Sequence, residues 1–406
     1  MSKNFRISAI ICELNPPHNG HISLFRQLRD ASDGYLIAVM SGNYVQRGTP
    51  AVFDKWTRTR AALRGGVDLV IELPLPWAVS GAQRFAEGGV ALLDALHCVD
   101  TLGFGSECGQ LEPLQTLADT FSSSRFQEVL RQVRAGDNTS SFAAVRQQAA
   151  AALVGEKTAA LLSQPNNILG ISYCQALAKF RSSIQPVTVR RLGAGYNDDT
   201  PNAACQFPSA AQLRALLQAD SRCDLSPYLP SECNEVLQAA AASGDGPVFP
   251  AALETAILAR LRTMTPEQLA KLPDVSEGLD RRLYQGIRTA VTLEQLYETV
   301  KVKRYSHARI RRLVLSAFLG IAESDGAGLP PYCRILGMSR RGTKLLPHLS
   351  KHASIPFLVK YSDSKTLDSH GKRIFDLECQ ADDLYALASP NPRPCGSNMT
   401  TGIITE

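Results

Sequence analysis

The chain has 406 residues, of which 44% are hydrophobic and 20% charged, with a formal net charge of +5. This composition describes a folded chain of two or three domains and excludes a disordered one, while so mild a charge does not by itself argue for nucleic acid. No apolar run is long enough for a helical membrane span, and the N-terminus enters its first strand without the apolar core of a signal peptide. A cytoplasmic location with no membrane partner is therefore expected. The ten cysteines stand singly with no CxxC pair, which suits neither a zinc site nor a disulfide framework. Reduced thiols and no protein-held metal are expected.

In chain order, Ile7, Ala9, Ile10 and Ile11 read as a buried strand covering 6–13. Asn15-Pro16-Pro17 ends it, because each proline lacks an N–H and fixes φ. From Asn19-Gly20-His21 onward Ile22, Leu24, Phe25 and Leu28 recur at helical spacing. His18 and His21 thus stand where a strand ends and a helix begins. The first helical N–H groups are unpaired there and the dipole end is positive, which suits a phosphate. Gly20 removes a side chain that would keep a phosphate from the backbone.

Further strands are expected at 35–41, 68–74, 101–105 and 186–192, alternating with helices near 54–64 and 83–96. Asp54 is a candidate helix cap and Gly65-Gly66 a helix stop. Alternation of this kind predicts a doubly wound α/β fold, a parallel five-stranded sheet covered on both faces. Ligands bind such sheets beyond the carboxyl ends of the strands. The segments ending there are Asn15–His21, Ser41–Gly48, Leu73–Val79 and Gly105–Glu107, with Arg190 at the end of the fifth strand. A guanidinium suits phosphate because its planar fork donates two hydrogen bonds at once. Asn166, in Pro165-Asn166-Asn167, reads only as a helix cap.

Beyond about 218 helical patterns dominate, broken at Ser226-Pro227 and Ser243–Pro247. The expected division is a phosphate-binding α/β domain over 1–220, a mainly helical region over 221–330 and a small C-terminal α/β unit over 331–406. Within the helical region Lys301, Lys303, Arg304, Arg309, Arg311 and Arg312 fall in a stretch without acidic residues, while Ile310, Leu313, Val314 and Ala317 form an apolar face. The ordinary alternative is a solvated basic face, but such faces are usually interspersed with Glu or Asp. The pattern points to RNA phosphates, with Tyr305 and His307 as planar groups able to stack on bases.

The string Asn15-Pro16-Pro17-His18-Asn19-Gly20-His21 between a strand and a helix resembles the ATP signature of the HxGH nucleotidyltransferase-like superfamily. Met40–Gly48, Phe53–Arg58, Asp68–Pro74, Phe104–Glu107, Pro165–Gly170 and Lys303–Arg312 extend the likeness along the chain. Together they resemble the tRNA(Met) cytidine acetate ligases. The resemblance implies activation of acetate by ATP to acetyl-adenylate, then transfer of acetyl to N4 of the wobble cytidine of elongator tRNA(Met), giving N4-acetylcytidine. Any magnesium would come with the nucleotide.

By motif, ATP would be held by Ile11, Cys12, Glu13, Leu14, Asn15, Pro16, Pro17, His18, Asn19, Gly20, His21, Ile22, Ser23 and Leu24, with Gly105, Asn166 and Arg190. His18 and His21 would be catalytic. Leu14 stands where the family usually has an aromatic and Pro17 where it usually has Phe. No residue of the sequence singles itself out as a base for the cytidine amine. The competing expectation is an adenylyltransferase acting on a small phosphorylated metabolite, which would not need the long helical region and its basic helix. A third is a non-catalytic ATP-binding tRNA chaperone, against which both histidines argue.

Overall fold

The computed structural model describes residues 6–32, 34–136, 140–191, 208–276 and 278–406. The first four strands with their helices run β1 (Ile7–Cys12), α1 (Asn19–Ser32), β2 (Tyr35–Ser41), α2 (Lys55–Arg64), β3 (Leu69–Leu73), α3 (Ala82–Asp94) and β4 (Thr101–Ser106). After a helical excursion come α4 (Pro165–Phe180) and β5 (Gln185–Arg190). The five strands are parallel in the order β3-β2-β1-β4-β5. The three strands β1, β2 and β3 are short and almost wholly buried because helices cover both faces of the sheet there, whereas β5, at the edge, mixes polar and apolar residues and is only partly covered. Ile7, Ala9 and Ile11 pack into one layer, and Ile10 with Leu36, Ala38 and Met40 into the other. The last residue expected in the fifth strand, Leu192, lies outside the described residues.

Caps read from the sequence form as expected. Asp54 accepts the Thr57 N–H at 2.7 Å, and Ser209 and Gln212 close a capping box at the start of α5 (Ala210–Ala219). Between β2 and α2 the polar loop is a hairpin, Tyr44–Val45 against Thr49–Pro50, turning at Gly48 with φ of +77°.

The helical region packs around an apolar cluster shared with Tyr44, Leu75 and Val79 and with Leu377, Ala381 and Tyr385, and it includes α6 (His307–Leu319), whose Ile310, Leu313, Val314 and Ala317 are buried as the spacing predicts. The C-terminal residues 331–406, expected as a small unit of their own, instead extend the sheet. Strand β6 (Cys333–Met338) pairs antiparallel with β3, and β7 (Phe357–Leu358) and β8 (Ile404–Thr405) pair parallel with β6, giving eight strands. The physical reason is the open edge of β3, whose unpaired backbone groups β6 satisfies.

Helix α7 (Ser369–Leu387) completes this union through buried charge. Lys55, fully buried, donates to both oxygens of Glu72 at 2.8 and 2.9 Å and pairs with Asp382 at 2.6 Å. Arg334 of β6 lies 3.5 Å from Glu72 and donates to Asn398 at 2.7 Å. Glu378, pushed up to about 8 by burial and by Glu72, accepts from the Tyr332 hydroxyl at 2.7 Å. Charges this deep persist only when paired.

Candidate active site

Strand order reverses between β1 and β4, and at their carboxyl ends opens a cavity of about 550 Å³. This is the switch point at which doubly wound sheets bind ligands. The carbonyl of His18 accepts from the N–H groups of His21 at 2.8 Å and Ile22 at 3.2 Å, so α1 starts from His18. The two imidazoles stack with centroids 3.8 Å apart and planes tilted by 32°. A Cβ at Gly20 would stand 3.0 Å from the His18 ring, so this glycine lets the imidazole fold over the first turn as well as opening the backbone.

Burial, then His21, Arg191 and Arg214, hold the His18 pKa far below the usual range; burial and Arg191 lower that of His21 to about 3. Both rings are therefore neutral at pH 7, and each Nδ1 is buried without a hydrogen-bond partner among the described residues. A phosphate arriving here would supply both the missing hydrogen bonds and the countercharge.

Arg190, Arg191, Arg214, Arg47 and Arg312 line the same cavity against two carboxylates, Glu13 and Glu107. Glu107 is already spent on the backbone: one oxygen accepts from the N–H and side-chain amide of Asn166 (3.1 and 2.7 Å), the other from the Asn167 N–H (2.8 Å). Asn167 returns the bond, its Oδ1 accepting from the N–H groups of Glu107 and Cys108 at 3.0 and 3.2 Å. So Asn166 is not the cap its sequence suggests: Gln164 holds that position, and Asn166 lies inside the first turn with its side chain turned to Glu107. It locks the start of α4 to the end of β4. Arg214 donates to the Asn15 carbonyl at 2.8 Å. Arg58, fully buried, donates to the carbonyls of Glu13 at 2.6 Å, Ser41 at 3.0 Å and Gly42, fixing the ends of β1 and β2 together. Burial lifts the Cys12 thiol to about 12, so it faces the cavity uncharged.

Of the residues expected at ATP, Ile11, Cys12, Glu13, Leu14, Asn15, His18, Gly20, His21, Ser23, Leu24, Gly105, Asn166 and Arg190 line the cavity. Pro16, Pro17, Asn19 and Ile22 do not. The prolines are buried behind the loop, Ile22 belongs to the core beneath it, and the Asn19 N–H donates to the Tyr228 carbonyl at 2.8 Å. The segment Leu73–Val79 also stays away: Leu75–Ala78 forms a short buried helix instead. Sequence reasoning brought the segment Ser41–Gly48 to this end of the sheet without singling out Gln46 and Arg47, and it missed Arg191 and Arg214, since the fold and not spacing brings them into the cavity.

The expected basic face divides. Lys303 and Arg304 are exposed, and Arg311, also exposed, lies 5.8 Å over the Tyr297 ring. Lys301 donates to the carbonyls of Val302 and Tyr305 at 3.0 and 2.6 Å, and Arg309 to the Asp274 carbonyl and Ser276 hydroxyl at 2.6 and 2.7 Å. Arg312 turns inward to the cavity. Tyr305 is only 3% exposed, so it cannot stack on a base; its ring supports Arg309, at 5.2 Å.

Among the described residues no three His, Cys, Asp or Glu side chains gather where they could hold a metal ion, and no helix is long and apolar enough to cross a membrane. Residues 5–398 match the family model described as HIGH Nucleotidyl Transferase. The tRNA(Met) cytidine acetate ligase of Acetivibrio thermocellus is 35% identical over 98% of this chain and 99% of its own. That of Caldanaerobacter subterraneus subsp. tengcongensis is 38% identical over 94% and 95%. The chain belongs to the tRNA(Met) cytidine acetate ligase family. A crystal structure of Thermotoga maritima TmcAL bound with alpha-thio ATP superposes with a TM-score of 0.91 at 30% identity, covering 99% of both chains. Membership of this ligase family accounts for a nucleotidyltransferase-type sheet carrying a further helical region.

Proposed function

We propose that the protein is a tRNA(Met) cytidine acetate ligase, which uses ATP to convert acetate to acetyl-adenylate and passes the acetyl group to N4 of the wobble cytidine of elongator tRNA(Met). It works in the cytoplasm. The observation that carries this reading is the pair of neutral imidazoles, His18 and His21, at the start of α1 inside an arginine-lined cavity. Acetate is a poor acyl donor until its oxygen attacks the α-phosphate. Negative charge then grows there as pyrophosphate leaves, and preorganised donors stabilise it.

In this reading ATP lies along those residues of Ile11–Leu24 that line the cavity, with Gly105, Asn166 and Arg190, and any magnesium arrives with the nucleotide. The domain division at about 220 has the same sense: the sheet activates acetate, and the helical region holds RNA through Lys303, Arg304 and Arg311. Lys301 and Arg309 contribute by shaping that surface, since their donors are already engaged.

The test is incubation with ATP, labelled acetate and unmodified tRNA(Met), followed by nucleoside analysis. Label in N4-acetylcytidine, dependent on all three, is expected. Label transferred to no nucleoside, with AMP joined instead to a small phosphorylated metabolite, would replace this reading by an adenylyltransferase.

A further inference from the structure

We propose that Glu13, Gln46 and Arg312 form the subsite that reads the Watson–Crick edge of the target cytosine; this rests on the ligase reading above. The three residues line one cavity and are linked. The Gln46 N–H donates to one oxygen of Glu13 at 2.9 Å, and the Gln46 carbonyl accepts from Arg312 at 3.3 Å. What they leave over is one acceptor and two donors. Among the described residues the second Glu13 oxygen has no hydrogen bond, and Gln46 Nε2 and Arg312 Nε are buried without a hydrogen-bond partner. Asp274 approaches Arg312 Nε only to 3.8 Å, beyond hydrogen-bonding distance.

Buried donors left unpaired are uncommon in folded proteins and point to something that arrives. A phosphate answers the donors but is repelled by Glu13. Cytosine answers all three, because its edge carries one donor, the N4 amine, and two acceptors, N3 and O2. Uracil inverts the pattern at two of the three positions. Single-stranded bases are commonly read on this edge after leaving the stack. Glu107, the other carboxylate of the cavity, is excluded as reader because both its oxygens are occupied.

The same contact serves the chemistry. N4 attacks the carbonyl carbon of acetyl-adenylate, and the bond from that carbon to the phosphate oxygen breaks. AMP departs with the electron pair, and the N4 proton passes to the free oxygen of Glu13 and on to solvent. The carboxylate that recognises the amine thus stands where its proton must go.

The experiment compares binding of two tRNA(Met) transcripts, with C or U at the wobble position, at one salt concentration and in the presence of a non-reactive acetyl-adenylate analogue. The wild-type protein is expected to prefer C by roughly 10- to 100-fold. In Gln46→Ala and in Glu13→Gln the preference should fall to within about threefold, since a glutamine at 13 can turn its N–H toward uracil O4. Equal weakening for both transcripts would mean a merely structural role and overturn the subsite. So would a preference that survives both substitutions, or one lost from the wild type when magnesium is removed, which would make Glu13 a metal ligand. A wild-type protein that neither prefers C nor acetylates cytidine fails the ligase reading itself; one that acetylates cytidine yet keeps its preference in both variants fails only this subsite.

Discussion

Gly48 lies so close to Arg312 that a Cβ on it would stand 2.5 Å from the Arg312 backbone nitrogen and 2.6 Å from the Arg311 carbonyl carbon. The hairpin of the sheet domain and the helix of the helical region meet backbone to backbone, at the point where Arg312 enters the cavity. Gly48→Ala adds an unfavourable φ to that collision, and neither side is a flexible side chain. It is expected to cost about 2 kcal/mol or more, read as a lower urea midpoint. A midpoint equal to wild type would mean the helix can shift freely from the hairpin.

The depressed pKa of His21 makes the stability of the nucleotide-free protein pH-dependent. The folded ring stays neutral down to about pH 3, while the unfolded ring takes up a proton near its ordinary value of 6.5. The unfolded state therefore binds more protons between these values, so stability falls as pH falls from 6.5 toward 3. At pH 5 the loss from His21 is about 2 kcal/mol, and His18 adds to it in the same direction. Thermal melts of wild type and His21→Gln between pH 7 and 5 measure this; parallel melting curves would contradict it.

On the proposed mechanism His21 acts before RNA is needed. His21→Ala is expected to lower pyrophosphate release from ATP and acetate by roughly 10²–10³-fold, the usual loss for one transition-state donor. Supplied with synthetic acetyl-adenylate, the same variant should still acetylate tRNA substantially, since no pyrophosphate charge develops in that step. Equal failure in both assays would assign His21 to the carbonyl step as well.

Binding of tRNA should weaken steeply with salt, because each neutralised phosphate releases counterions. Replacing exposed Lys303 and Arg304 by alanine should lower the slope of log affinity against log salt by about 2. Lys301→Ala should alter that slope little, since its ammonium already donates to two carbonyls of its own chain.

Lys55→Met should destabilise by about 3–5 kcal/mol, because it leaves Glu72 and Asp382 buried with less than their countercharge. Chemical denaturation measures it, and a loss below about 1 kcal/mol would show that Arg334 alone balances the cluster.

The strand that ends at Cys12, the helix that begins beyond His18, and the chain positions of the first five strands were legible in the sequence, though not their order in the sheet. Their signals are local: apolar runs of strand length, prolines and glycines at the ends, and caps such as Asp54 and Ser209. The nucleotide loop was legible for the same reason, being nearly continuous in sequence. Contacts between distant segments were not. Nothing near Cys333–Met338 says that it pairs antiparallel with Leu69–Leu73, for an apolar run fits any open edge. The basic run at 301–312 was legible as charge but not as geometry, since charge patterning cannot tell an exposed guanidinium from one turned inward. Only the packing of Gly48 under α6 sends Arg312 to the cavity, and only the hairpin brings Gln46 beside Glu13. Sequence determined the elements and pointed to a phosphate site; tertiary structure decided which side chains stand around it, because that depends on pairings between segments far apart in the chain, such as Arg312 with Gln46.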